Sequence, residues 1–169
     1  MKSVFLIAAV TIGVTPAVAQ TAPASAPISA SRAVAAAEKA TGAKAMDVDL
    51  DQRRGRLVYE IDLADGGKLI EVEIAAQTGE VLSQRMPRFE NLWGEGVEPV
   101  ETRALAQARP LSETLAALEQ ETGGRALDVD FDVEAGQARY EVELSTKAGV
   151  AEVYLDPMTG ERLVAAYDD

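Results

Sequence analysis

The sequence predicts an α+β protein of two tandem units, each one helix packed on a three- to four-stranded antiparallel meander. Three observations carry that expectation. Residues 31–82 match residues 112–163 at a constant offset of about 81, with roughly 20 identities over about 50 positions and no gap. Each copy opens with helical spacing that ends on a glycine. Each then switches to strict apolar–polar alternation, the period of strands with one buried and one solvated face.

The elements follow in order. Ser29 or Ser31 can cap the first helix and Ser112 the second, because a serine hydroxyl accepts from an otherwise orphaned first-turn amide. Leu111, Leu115 and Leu118 give the second helix one apolar stripe; Val34, Ala37 and neighbouring alanines do so more weakly for the first. Gly42 and Gly123 stand where a left-handed residue would end each helix. Strands are then predicted from Val48 and Leu50, from Leu57, Tyr59, Ile61 and Leu63, and from Ile70, Val72 and Ile74. The second copy repeats them with Ala138, Tyr140, Val142 and Leu144, then Ala151, Val153 and Leu155. Short turns rich in Asp, Gly and Pro separate them, as hairpins require.

Upstream of the repeat, Lys2, the apolar residues 4–14 and Ala17-Val18-Ala19 have the three parts of a secretory signal. The expected organisation is signal peptide 1–19, cleaved between Ala19 and Gln20; flexible Ala/Pro/Ser leader 20–27; first unit 28–85; linker 86–108; second unit 109–169. Phe89, Leu92 and Trp93 are expected to dock the linker on one unit, since a free linker would expose their apolar area. No cysteine is present to take a lipid after the apolar run, so no stable membrane anchor is expected once the signal is cut. The predicted location is periplasmic or secreted.

Composition removes whole classes of chemistry. The 169 residues include no histidine and no cysteine. No Ser–His–Asp triad, cysteine nucleophile, imidazole or thiolate zinc site, or disulfide can form within the chain. Sixteen Lys+Arg against 28 Asp+Glu give a net charge of −12, opposite to what a nucleic-acid binder needs. Composition alone does not exclude carboxylate-pair catalysis, but a small repeated domain offers little for a deep cleft, so no catalytic residue and no cofactor are predicted.

The sharpest cluster is Asp47, Asp49 and Asp51, echoed by Asp128, Asp130 and Asp132. Alternating carboxylates suggest calcium, but an EF-hand loop needs glycine at its sixth position and glutamate at its twelfth. Here those positions are Gln52 and Val58, or Val133 and Arg139. A solvated acidic strand face that discourages edge-to-edge aggregation is the preferred reading, with weak cation binding by these six aspartates as the alternative. Thr78-Gly79-Glu80 and Thr159-Gly160-Glu161 read as hairpin turns, and Tyr59 and Tyr140 as core tyrosines with hydrogen-bonded hydroxyls.

A helix ending in glycine, an acidic strand, Tyr-Glu-hydrophobic, and an Asp-x-x-Thr-Gly-Glu turn together resemble the PepSY domain. Tyr140-Glu141-Val142 and residues 156–161 carry the pattern best; the first copy has Tyr59-Glu60-Ile61 but Ala75 at the turn aspartate. The resemblance implies a non-catalytic module that binds exported proteins or restrains a protease, with an envelope protein or exported protease as partner. An acidic cation-binding or envelope-stress protein without a fixed protein partner is the other function considered.

Overall fold

The computed structural model describes residues 26–87 and 97–163; the expected signal segment with its Ala19–Gln20 junction, and Phe89, Leu92 and Trp93, lie outside them. Helix α1 (Ala30–Thr41) starts where Ser29, in extended conformation, accepts the Arg32 amide on its hydroxyl at 3.4 Å. It stops at Gly42, whose φ of 72° is open to glycine at no steric cost. Strands β1 (Lys44–Arg53), β2 (Arg56–Asp65), β3 (Lys68–Ala75) and β4 (Val81–Arg85) follow as a meander. Then come α2 (Pro99–Gln107), α3 (Leu111–Thr122), β5 (Arg125–Glu134), β6 (Gln137–Thr146) and β7 (Gly149–Leu155).

Helix α2 falls in the stretch expected to be linker. Proline opens it, with φ already helical and no amide to satisfy, and the Glu101 carboxylate accepts the Glu98 amide at 2.9 Å. Leu105 on α2 is buried, so the segment adds to the core. Helix α3 departs from expectation at its start. Its N-cap is Pro110, which has no side-chain donor or acceptor, and Ser112 lies inside the first turn. The capping role passes to α1: one Glu38 carboxylate oxygen accepts the Leu111 amide at 3.2 Å, and the other accepts the Ser112 hydroxyl at 2.5 Å.

Among the described residues the strands form one antiparallel sheet of seven, in the order β4-β3-β2-β1-β5-β6-β7. The two copies are therefore joined edge to edge through β1 and β5, at Val48↔Val129 and Asp49↔Asp128. The aspartate-bearing strands were expected to resist such pairing, and instead they are the centre of the sheet. Strand side chains stand perpendicular to the sheet, so these carboxylates leave the backbone ladder open; edge protection needs charge or shape in the pairing direction.

Both copies carry a register slip at the same place, between Ala45 and Asp47 and between Ala126 and Asp128. The extra residue reverses the alternation. Ala45 and Ala126 are thus buried under the helices while Asp47 and Asp128 face the other way. All three helices lie on one face, where α1, α3 and the strands share a continuous core including Val34, Ile61, Leu63, Leu115, Val142 and Leu144.

Reciprocal contacts lock the copies together. Val48 and Val129, partners at the junction, are equivalent residues of the repeat, so a local twofold axis passes through them. Ser112 donates to Glu38 and Ser31 to Glu119 at 2.6 Å. Lys44 Nζ donates to the Ala108 carbonyl and Arg125 Nη1 to that of Pro27, both at 2.6 Å. The tyrosines are buried as expected, with Tyr59 donating to the Ile28 carbonyl at 2.8 Å and Tyr140 to that of Ala45 at 3.3 Å. Tyr59→Phe should cost about 1 kcal/mol, the net worth of one such bond, as measured by urea unfolding.

Candidate functional site

The sheet face away from the helices carries the candidate site. Its outward positions are acidic in strand after strand, and antiparallel register aligns them. Glu73, Glu60, Asp49, Asp128, Glu143 and Glu152 form one row of directly opposed residues across six strands. A second row runs Glu71, Asp62, Asp47 on one side of the junction and Asp130, Glu141, Tyr154 on the other. Adjacent strands are about 4.8 Å apart, a spacing at which opposed like charges are destabilising.

Arginines relieve part of this repulsion, and only in places. Arg53 pairs with Glu60 at 2.5 Å and with Asp51 at 3.0 Å. Arg85 reaches Glu71 at 3.1 Å and Glu73 at 3.8 Å. Arg139 is engaged at the far end by Asp132 and Glu134 and lies 5.4 Å from the centre of the Tyr154 ring. Among the described residues Asp128, Asp130, Glu141, Glu143 and Glu152 have no ion pair, so the second copy's half of the face is the less neutralised.

The strain shows in protonation. Burial pushes Asp47 up to about 7, helped by repulsion from Asp62, Asp130 and Glu101 and opposed by the Phe131 amide, which donates to its carboxylate at 3.0 Å. Burial lifts Asp62 to about 6, with Glu71 and Glu60 adding to it and Arg85 opposing. Burial followed by repulsion from Asp130, Asp49 and Glu143 lifts Asp128 to about 6.

Two open hollows follow the rows. One of about 480 Å³ spans Asp47, Asp49, Asp62, Glu71 and Asp128; the other, about 350 Å³, lies over Asp128, Asp130, Glu141, Glu143 and Glu152. Of the six aspartates singled out in the sequence, the fold brings Asp47, Asp49, Asp128 and Asp130 together at the junction. Asp51 and Asp132 are instead held near strand ends by Arg53 and Arg139. Glu60, Asp62, Glu71, Glu141, Glu143 and Glu152 join the site through register, and the signal for them was the same alternation that predicted the strands. Among the described residues no three acidic side chains converge tightly enough to hold a metal ion.

The family model described as the peptidase propeptide and YPEB domain matches residues 27–85 and again residues 103–163. The chain belongs to the PepSY family. PepSY domains are generally propeptide- or inhibitor-like modules rather than catalytic ones. No curated protein matches the chain. Among solved structures, a candidate lipoprotein from Clostridium difficile 630 is 15% identical, covering 83% of this chain and 93% of its own, with a TM-score of 0.41. Among the described residues no helix is long and apolar enough to cross a membrane.

Proposed function

We propose that this is an exported, non-enzymatic PepSY protein, periplasmic or secreted, that works by binding another protein, holding a basic segment of its partner against the acidic face of the sheet. One observation carries the reading: the chain already seats a guanidinium there. Arg85 lies between Glu71 and Glu73, while among the described residues the hollow over Asp128, Asp130, Glu141, Glu143 and Glu152 in the second copy is lined by no cation. A partner's arginine or lysine would meet the same chemistry without an internal competitor, and the negative field would speed its arrival. Restraint of an exported protease is the form of binding that the family suggests. The signal-like N-terminal sequence supports export, and the absence of histidine and cysteine supports a role without catalysis.

The test is capture from a periplasmic extract by wild type and by the variant Asp130→Asn/Glu141→Gln/Glu143→Gln, at low and at high salt. A partner retained by wild type at low salt, and lost by the variant or by high salt, supports the reading. A captured set that the variant does not change refutes it. A second reading is diffuse cation association with the unpaired carboxylates, which needs no tight chelating cluster. Calcium at about 5 mM should then raise the melting temperature, since a ligand of the folded state must stabilise it. A melting curve that calcium leaves in place removes that reading.

A further inference from the structure

One corner of the sheet is basic in a chain of net charge −12. Arg53, Arg54 and Arg56 at the β1–β2 turn and Arg85 on β4 line an open hollow of about 310 Å³, together with Ser83 and one carboxylate, Glu73, which Arg85 partly neutralises. We propose that this corner is an oxyanion-binding site for a phosphate group, at the edge of the acidic face, with which it shares Arg53, Glu73 and Arg85.

Three independent features support it. First, the donors are available. Among the described residues Arg54 and Arg56 have no ion pair, and Arg85 spends only Nη2 on Glu71 and Glu73. A guanidinium carries five N–H donors in a planar fork that matches phosphate oxygens, so each of these arginines keeps donors to offer. Second, the Ser83 hydroxyl oxygen is buried and has no hydrogen-bond partner. A buried unsatisfied hydroxyl costs about 1–3 kcal/mol, and an anion seated in the hollow that Ser83 lines would accept its proton. Third, the repeat acts as an internal control. The positions equivalent to Arg53, Arg54, Arg56 and Arg85 in the second copy are Glu134, Ala135, Gln137 and Ala166, and Ser83 is matched by Val164.

The turn itself does not call for arginine. Arg54 has a φ of 51°, and Ala135 makes the same turn with a φ of 50°. A long cation in this conformation adds nothing to the turn geometry, which asparagine or glycine would fill with less strain. Val58 and Leu82 provide an apolar wall, which strengthens charged contacts by excluding water on that side. The surrounding negative charge limits long-range attraction, so binding depends on short contacts and should be modest in strength.

Titration of the full chain with inorganic phosphate, followed by amide NMR shifts, tests the site. Wild type should bind with a dissociation constant on the order of 1 mM, with shifts centred on residues 53–56 and 83–85. The variant Arg54→Asn/Arg56→Gln, exposed at the turn and compatible with its geometry, should melt within about 2 °C of wild type and bind about 10-fold more weakly. Ser83→Ala should weaken binding about threefold. Flotation with phosphatidylglycerol vesicles, against phosphatidylcholine vesicles, separates the sources. Variant-sensitive binding to the anionic vesicles alone assigns a lipid headgroup phosphate; variant-sensitive binding of free phosphate assigns a soluble one. Phosphate shifts centred elsewhere, equal binding by wild type and variant, or no binding in either arm overturns the proposal.

Discussion

Acidifying the protein from pH 8 to pH 5.5 should raise its melting temperature by about 5–10 °C, the reverse of ordinary acid destabilisation. The sign follows from Asp47, Asp62 and Asp128, whose folded pKa values of about 7, 6 and 6 lie above the value of 3.8 expected when unfolded. Between those limits the folded state binds more protons than the unfolded state. The stabilisation is fully present below about pH 4 and is lost as pH rises towards 7. With allowance for solvent screening, the change is on the order of 2–4 kcal/mol. Asp47→Asn removes the most perturbed charge but keeps an oxygen that can accept the Phe131 amide. It should stabilise the protein at pH 8 by about 1–2 kcal/mol and flatten the pH dependence. Thermal melts by circular dichroism at pH 8, 7, 6 and 5.5 decide the matter. A flat profile in wild type, or an equal slope in the variant, would show that the opposed carboxylates are already relaxed by solvent.

Glu38→Ala should lower stability by about 2–3 kcal/mol, more than most polar substitutions on a helix surface. Glu38 accepts from the Leu111 amide and the Ser112 hydroxyl, so its loss leaves that amide without its acceptor and α3 with only Glu113 as an anion in its first turn. It also cuts one of the two serine–glutamate ties between the helices. Glu38→Gln should recover part of the loss, because its amide oxygen can still accept. Ser112→Ala should cost only about 1 kcal/mol, since Glu38 retains the Leu111 amide. Guanidinium unfolding of the three variants gives the ranking, and equal midpoints for Glu38→Ala and Ser112→Ala would refute capping by Glu38.

What could be read in the sequence, and what could not, divides along the range of the interactions. Helix ends at Gly42 and Gly123 and the alternation around Tyr59 and Tyr140 are local signals, and they appear where the local rules put them. Helix α2 escaped because its evidence, a proline followed by an acidic first turn, sat in a stretch already punctuated by Pro and Gly. The slips at Met46 and Leu127 leave no mark in residue type, for an extra residue in one strand is defined only by its partner. Pairing of β1 with β5 is likewise a long-range choice. The candidate site inherited that limit: its individual carboxylates were legible, but their assembly into two rows depends on which strands become neighbours.

The axis through Val48 and Val129 has a consequence for how such a surface can arise. The serine–glutamate ties and the Lys44 and Arg125 contacts that one half makes with the other are returned by their counterparts, as in an isologous dimer, where one patch serves both subunits. In such a dimer every substitution strikes the interface twice, so a change near the axis, where a residue meets its own copy, must suit itself. Joining the halves in one chain lifts that restriction. The seam can keep its matched serines and glutamates while the two outer surfaces become different, and here they have: four arginines at one corner of the first half face a second half that has none at the matching positions.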